Sequence, residues 1–172
     1  SIHERSDRAG GPFVAVNIAS LPGDLAAAEL FGAEKGAFTG AVARPGYFSQ
    51  ADHGTLLLDE IGATEPGVQA LLLRVLEEGR IRPLGSTREV AVDVKVLAAT
   101  DEALEAQIAE GRFRRPLLER LRGSVVELPP MRDGNPQRFV FKSTLSANEI
   151  KQQDISLSRL AFQDEAEVTG LL

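Results

Sequence analysis

The sequence contains no cysteine and no tryptophan, and it has one methionine, one tyrosine and two histidines among 172 residues. The absence of cysteine excludes disulfide bridges and cysteine-ligated metal sites. No apolar run approaches the roughly 20 residues that are needed to span a bilayer. The polar, charged N-terminal stretch is unlike a secretory signal. Together these features predict a cytoplasmic protein with a largely aliphatic core.

Basic residues are fewer than acidic ones: the sequence has 19 lysines and arginines and 25 aspartates and glutamates, which gives a formal charge of -6. A general nucleic-acid binder is usually basic, so this balance argues against that class. The length is sufficient for one domain with a sizeable core. The apolar content of 43% and the charged content of 26% are ordinary for a globular protein.

Short apolar runs alternate with helical patterns over the first 130 residues. Strands are predicted at 12–17, 54–60, 92–99 and 124–130. Helices are predicted at 21–32, 65–79, 101–111 and 116–123. The second helix is predicted to end at Gly79, and its apolar face comprises Val68, Leu71, Leu72, Val75 and Leu76. This alternation of strands and helices predicts an α/β fold with a parallel sheet.

The composition changes after Met131, where serine and glutamine become more frequent. We interpret residues 133–172 as a tail without a chemical motif. Ser146 and Glu149 have the spacing of a capping box and predict a weakly amphipathic helix through Leu160.

The first chemical motif is the pair Asp59 and Glu60, which ends an apolar run. A carboxylate at the end of a buried strand can hold Mg²⁺, and a second one can polarise an attacking water. This is the Walker B pattern of nucleotide hydrolases. Taken alone, it is equally compatible with two solvated acids at a strand end.

Further segments carry a resemblance to a known family. They are "ELFGAEKGAFTGA", "GYFSQADHGTLLLDEIG", "LLRVLEEGRIRPLGS", "VDVKVLAAT", "GRFRRPLLERL" and "ELPPMR". In order and spacing, residues 1–132 resemble part of the central AAA+ ATPase domain of bacterial enhancer-binding proteins, the activators of sigma-54 RNA polymerase. The "GAFTGA" stretch at 36–41 is the signature loop of that family. The resemblance implies an AAA+, P-loop-type parallel sheet flanked by helices, incomplete here, and the cofactors ATP and Mg²⁺.

The resemblance also implies roles at the strand ends. Asp59 would hold Mg²⁺, Glu60 would orient the hydrolytic water, and Asn17 would steer that glutamate by pairing with it. Asp101 stands where the family usually carries the asparagine of sensor I. A carboxylate at this position would repel a γ-phosphate, and a simpler role for Thr100 or Asp101 is to cap the following helix.

Arg114 and Arg120 match the arginines that the family supplies to a neighbouring subunit, where a guanidinium suits the charge on a transferring phosphate. Pro116 disfavours helix at the residue before it, so the helix is predicted to begin at Pro116. Nearby arginines are interpreted as solvent-facing charges: Arg112, Arg115 and Arg122.

The loop matches the part of the family that contacts the sigma factor, through Gly36, Ala37, Phe38, Thr39, Gly40 and Ala41. Its two glycines allow the chain to rise and fold back. Phe38 would be an apolar contact that the nucleotide state exposes, and Thr39 a polar one. The excursion at 80–90 matches the second pore-facing loop. The partners implied are the sigma-54 factor and further copies in a hexameric ring, with no membrane and no DNA bound by this segment.

The motif G-x-x-x-x-G-K-[ST] does not occur in the 172 residues. In the family this P-loop lies shortly upstream of the residue that matches Ser1, and the helical lid and DNA-binding domain are not recognisable either. Two interpretations stay open: part of a working ATPase whose P-loop lies outside this chain, or a non-hydrolysing interaction module. We expect this chain alone neither to bind nor to hydrolyse ATP. Losing the P-loop strand is expected to leave neighbouring strands with unpaired edges.

Overall fold

The computed structural model of the protein describes residues 3–122, 124–128 and 138–145. The helices in this part of the chain are α1 (Gly23–Phe31), α2 (Tyr47–Gln50), α3 (Pro66–Glu78), α4 (Leu104–Ala109) and α5 (Arg115–Leu121). The strands are β1 (Phe13–Asn17), β2 (Thr55–Asp59), β3 (Arg80–Ile81), β4 (Val90–Ala91), β5 (Val94–Thr100), β6 (Ser124–Leu128) and β7 (Arg138–Leu145). None of the described helices combines the length and apolarity that crossing a membrane requires.

Five strands form one sheet in the order β1-β2-β5-β7-β6, and β3 pairs with β4 in a separate hairpin. β1, β2 and β5 run parallel to one another. All seven residues of β5 are buried. A mostly apolar strand that is buried along its whole length is typical of a parallel strand that is covered on both faces. The predicted parallel sheet flanked by helices is therefore confirmed for these three strands.

β7 is an addition that the apolar pattern does not predict. It pairs antiparallel with β5 from Val94 to Thr100, and with β6 on its other side. The expectation of unpaired edges beside a missing strand is wrong for β5, because β7 supplies backbone partners along the whole of that strand. The limit between domain and tail at residue 132 stays a prediction. The helix predicted from 146 to 160 lies outside the described residues.

Helix α3 packs against α5 and ends at Gly79, whose φ of 63° gives the predicted left-handed stop. Four of its five predicted core residues are buried: Val68, Leu72, Val75 and Leu76. The fifth prediction is wrong, because Leu71 is 39% exposed while Gln69 is completely buried. A polar side chain therefore occupies a position on the inner face of this helix.

Candidate functional site

The three parallel strands bring their carboxyl ends to one edge of the sheet. Asn17, the last residue of β1, lies opposite Asp59, the last residue of β2. Leu58 of β2 lies opposite Ala98 of β5. Thr100, the last residue of β5, therefore lies beside the start of the turn that follows β2. The predicted strand-end amide and acids therefore meet at the same edge, which is where open parallel sheets bind ligands.

Glu60 adopts a backbone conformation that is rare for its residue type. Its φ of 55° and ψ of 49° are left-handed, and its N–H donates to Oδ1 of Asp59 at 3.0 Å. A 3-10 turn, Ile61–Ala63, follows, and Ile61 is fully buried beneath it. Left-handed backbone costs a residue with a Cβ about 1–2 kcal/mol, and such strain clusters at functional sites. The packed turn therefore holds the backbone of Glu60 in an enforced conformation.

Asp59 and Glu60 fit the chemistry of a magnesium nucleotide, because Mg²⁺ commonly takes one or two protein carboxylates and completes its shell with phosphate and water. In the region that the structure describes, no group of three or more histidine or acidic side chains is arranged to hold a metal. A divalent ion bound at these two acids would therefore need further ligands from the nucleotide and water.

Thr100 and Asp101 do not cap helix α4, so the predicted capping role is wrong. The helix begins at Leu104 with Ala103 as its cap and without a side-chain capping bond. The Thr100 hydroxyl instead accepts a hydrogen bond from the Glu102 N–H at 3.1 Å, which closes a tight turn. Thr100 is completely buried, and Asp101 is exposed at the same edge of the sheet as the acids.

The arginines around α5 differ in their partners. Three of them form ion pairs with nearby glutamates: Arg112 with Glu110, Arg115 with Glu105, and Arg122 with Glu105 and Glu119. Arg114 is exposed and has no side-chain partner among the described residues. It precedes the helix, which begins at Arg115 and not at the predicted Pro116. Helix ends commonly vary by one residue.

Arg120 has a contact within its own chain. Its Nε donates to the main-chain oxygen of Leu76 at 2.7 Å. Leu76 lies in the last turn of α3, where carbonyl groups have no partner within the helix. The half-buried guanidinium therefore closes the end of α3 with one of its five donors. The four N–H groups on its terminal nitrogens have no hydrogen-bond partner among the residues that the structure describes.

The Gly36–Ala41 loop rises from a closed base. Ala33 and Arg44 exchange two main-chain hydrogen bonds, of 3.1 and 3.0 Å, at that base. Within the loop, the Ala41 N–H donates to the Phe38 oxygen at 2.9 Å. Gly36 and Gly40 have φ values of 82° and 80° and open space around them. The predicted hinge glycines therefore stand at left-handed positions of a compact finger.

The tip of this finger is apolar and reaches the surface. Phe38 is half-buried and Thr39 is exposed, so the ring is not part of the protein core. Ala41 is buried at the base, and Val42, directly after the loop, is 73% exposed. The finger therefore presents the partly exposed ring of Phe38 and the exposed Thr39 at the surface of the molecule.

The hairpin of β3 and β4 supports the finger from one side. The Glu34 N–H donates to the Leu84 oxygen at 2.9 Å. Gly85, with a φ of 78°, lies so close to Ala37 that a Cβ there would approach the Ala37 Cβ to 2.8 Å. The contact of Gly85 with the finger was not predicted from the sequence. The signal for it was a glycine within "PLGS", the segment that matches the second loop of the family.

Charged side chains brace the hairpin against α3. Arg74 donates to Glu78 at 3.0 Å and to Glu89 at 2.7 Å, and Arg82 donates to Glu89 at 2.7 Å. The hydrogen bond from Arg82 lowers the pKa of Glu89 below its usual value, and the bond to Glu78 raises the pKa of Arg74. These side chains are solvent-exposed, so the bracing is weak in energy and sensitive to salt.

Comparison with known proteins assigns this arrangement to a family. The sequence model described as "Sigma-54 interaction domain" matches residues 1–127. The chain belongs to the sigma-54 interaction domain family. The resemblance seen in the sequence is thereby confirmed at the level of the family.

Individual members of the sigma-54 interaction domain family are similar over most of the chain. The Nif-specific regulatory protein of Azotobacter vinelandii is 51% identical over 134 residues, or 77% of this chain and 26% of the relative. The Nif-specific regulatory protein of Rhizobium etli is 44% identical over 166 residues, or 95% and 28%. NtrC of Escherichia coli is 51% identical over 134 residues, or 77% and 29%. The chain thus spans 26% to 29% of these relatives' length.

Solved structures agree on the fold. NtrX from Brucella abortus in complex with ADP matches with a TM-score of 0.64 and 39% identity, covering 70% of this chain and 26% of NtrX. The same protein in complex with ATP matches with a TM-score of 0.63 and 39% identity, covering 70% and 27%. The three parallel strands and their flanking helices are thus those of an AAA+ sigma-54 interaction domain.

Proposed function

We propose that this chain is the part of a sigma-54-dependent activator that contacts the sigma factor through the Gly36–Ala41 finger and couples that contact to ATP hydrolysis. The observation that carries the proposal is the finger itself. Its base is closed by main-chain bonds, its glycines are left-handed, and its aromatic tip is partly exposed. Such a tip is poorly explained by packing within one molecule, because the ring contributes little to the core.

The finger would engage the sigma factor through two side chains. Phe38 would place its ring in an apolar recess of the partner, and aromatic anchors of this kind carry much of the energy of an interface. Thr39, exposed beside it, would add a polar contact that orients the tip. The open space around Gly36 and Gly40 would let the finger change its angle without a clash.

The strand edge would serve nucleotide hydrolysis in the assembled protein. Asp59 would bind Mg²⁺, whose charge offsets the negative charge that develops on a transferring phosphate. Glu60 would orient a water for attack. Asn17, opposite Asp59 in the sheet, would hold Glu60 by an amide-to-carboxylate hydrogen bond. Asp101 would face the same cleft, where its charge opposes a close phosphate.

Arg114 and Arg120 would act on the nucleotide of a neighbouring copy in a ring. Arg114 suits this role because its guanidinium is exposed and has no carboxylate partner in the described part of the chain. Arg120 is tied to Leu76 through Nε alone and keeps its terminal nitrogens available. Arginines supplied in this way contribute about 10³–10⁵ in rate in related hydrolases.

The competing proposal is an interaction module that does not hydrolyse ATP. It is favoured by the absence of the motif G-x-x-x-x-G-K-[ST] from the 172 residues. Such a module would use the same finger on the sigma factor and could lend Arg114 and Arg120 to a complete neighbour. Under either proposal, isothermal titration of this chain with ATP should give no measurable binding. A micromolar affinity would contradict our expectation for the isolated chain.

The sigma-factor contact can be tested by fluorescence anisotropy with labelled sigma-54 factor. We expect Phe38→Ala to weaken binding by about 2 kcal/mol, or about 30-fold in Kd, as for a central aromatic anchor. Val42→Ala is the matched control, because Val42 is exposed next to the finger but outside it. Equal affinities of the Phe38 variant and the unsubstituted chain would refute the proposal, as would the absence of binding.

A further inference from the structure

Gln69 is a fully buried amide on the inner face of α3, among apolar neighbours. In the described part of the chain, its side chain makes three hydrogen bonds, and all of them go to the main chain. Its Nε2 donates to the oxygen of Thr64 at 2.7 Å and to the oxygen of Arg112 at 2.8 Å. Its Oε1 accepts from the N–H of Arg114 at 2.8 Å. Gln69 therefore binds two separate segments of main chain with one side chain.

The two segments belong to the two halves of the candidate site. Thr64 closes the turn that follows Glu60, through two hydrogen bonds to the Ile61 oxygen, of 3.2 Å from its N–H and 2.7 Å from its hydroxyl. Arg112 and Arg114 flank the turn between α4 and α5. A single amide thus connects the segment behind the strand-end acids to the segment that presents Arg114.

The hydrogen-bonding pattern points to a purpose beyond filling the core. Arg114 has an extended backbone, with φ of −86° and ψ of 121°, directly before the helix. Its N–H has no other partner among the described residues, so the Gln69 oxygen is what fixes this peptide plane. The direction in which the exposed Arg114 side chain leaves the main chain depends on that plane. An apolar residue of the same size would fill the space and leave the plane unrestrained.

We propose that Gln69 is a positioning residue for Arg114. It holds the main chain at Arg112 and Arg114 so that the guanidinium points away from its own subunit, and it ties that geometry to the turn after Glu60. This inference rests on the proposed role of Arg114 toward a neighbouring nucleotide. It also means that Gln69 restrains both the turn after Glu60 and the segment that presents Arg114 within one subunit.

The first experiment measures the restraint in the chain itself. Amide hydrogen exchange by NMR is compared for the unsubstituted chain, Gln69→Met and Gln107→Met. Gln107 is the matched control, because it is a buried glutamine that contacts the same turn only through its main-chain oxygen. We expect Gln69→Met to speed exchange at the Arg114 amide by at least about fivefold, as for the loss of one hydrogen bond. Gln107→Met should leave that amide unchanged.

A second measurement needs no substitution, in case Gln69→Met does not fold. The side-chain amide protons of Gln69 should exchange slowly, because both are bonded in a buried site. Those of exposed Gln50 provide the fast reference. Equal exchange of the two side chains would overturn the inference, and so would an unchanged Arg114 amide in folded Gln69→Met.

The second experiment measures the consequence for catalysis. NtrX from Brucella abortus, which is solved in complex with ATP, is given alanine at the position that aligns with Arg114, and this chain is added at saturation once that substitution is found to abolish the ATP hydrolysis of NtrX. We expect the unsubstituted chain to restore ATP hydrolysis and Arg114→Ala not to. Gln69→Met should lower the restored kcat at least about tenfold, since small misplacements of catalytic groups have large effects. KM for ATP should stay within about twofold, because NtrX supplies the nucleotide pocket.

The outcomes separate the two proposals. No restoration by the unsubstituted chain would overturn the proposed role of Arg114, while the exchange data would still decide whether Gln69 restrains the turn. Full restoration by Gln69→Met with a fast Arg114 amide would overturn the positioning role. Because Arg114→Ala restores no ATP hydrolysis, the distinction from a purely structural role comes from Gln69→Met itself: a positioning role lowers the restored kcat with KM for ATP and the free energy of unfolding little changed, whereas loss of folded chain would lower the free energy of unfolding.

Discussion

The contact between the hairpin and the finger leads to a quantitative prediction for Gly85→Ala. Alanine at this position would keep a φ near 78°, which costs about 1–2 kcal/mol. Its Cβ would lie 2.8 Å from the Ala37 Cβ and 3.0 Å from the Ala37 Cα, and overpacking of this kind costs about 1–3 kcal/mol. The reduced entropy of the unfolded chain returns about 0.4–1 kcal/mol. We therefore expect a loss of about 1–5 kcal/mol.

Gly36→Ala is the matched control, because Gly36 has a φ of 82° but nothing within 4 Å of the place that an added Cβ would take. It should lose only the backbone contribution, no more than about 1.5 kcal/mol. Urea unfolding gives both free energies, and hydrogen exchange at Glu34, whose N–H bonds Leu84, reports the contact locally. Adding Ala37→Gly to Gly85→Ala should recover part of the loss. Equal losses in the two alanine variants, with no change at Glu34, would refute the contact between hairpin and finger.

Three further predictions concern other described contacts. Arg120→Met should lower the free energy of unfolding by about 1.5–3 kcal/mol, because a charged hydrogen bond to the end of α3 is lost, whereas Arg114→Met should stay within about 0.5 kcal/mol in the same urea titration. Arg82→Gln should raise the pKa of Glu89, which carboxyl ¹³C NMR measures, and an unchanged pKa would contradict the hydrogen bond from Arg82. Because folding lowers this pKa, the bond stabilises the protein above the pKa of Glu89 in the unfolded chain. That stabilisation is lost as the pH falls through the pKa of Glu89 in the folded protein. Glu60→Gly should be more stable than Glu60→Ala by about 1 kcal/mol, because glycine tolerates the left-handed backbone, and equal stabilities would remove the argument for strain.

Local patterns were sufficient to predict much of this fold. The apolar run that ends at Asp59 forms a parallel strand that pairs with β1 on one side and β5 on the other, with Leu56 and Leu58 buried. Gly79 ends α3 with the left-handed backbone expected of a helix stop. The chain order of strands also places Asn17 beside Asp59, since parallel neighbours end at the same edge.

The features that were missed depend on partners distant in sequence. Helical periodicity is read from apolar residues, so it predicted Leu71 as a core residue and did not predict Gln69. Gln69 can be buried because its side-chain amide forms hydrogen bonds with the main chain at three other positions. Arg120 matched a family position, but its bond to Leu76 crosses 44 residues and leaves no local signal. β7 is equally non-local, because its partner β5 lies about 40 residues earlier in the chain.

The place of β7 in the sheet also has a consequence for how the protein is made. The ribosome releases β5 and then β6 before β7 exists, although β7 lies between them. Between the synthesis of Thr100 and that of Leu145, about two to nine seconds, the nascent chain carries an open strand edge at β5, a strand that is fully buried in the folded protein. Exposed edges of this kind invite pairing with other chains. Chaperone capture during translation should therefore be strongest in that interval and should fall once Leu145 has left the exit tunnel.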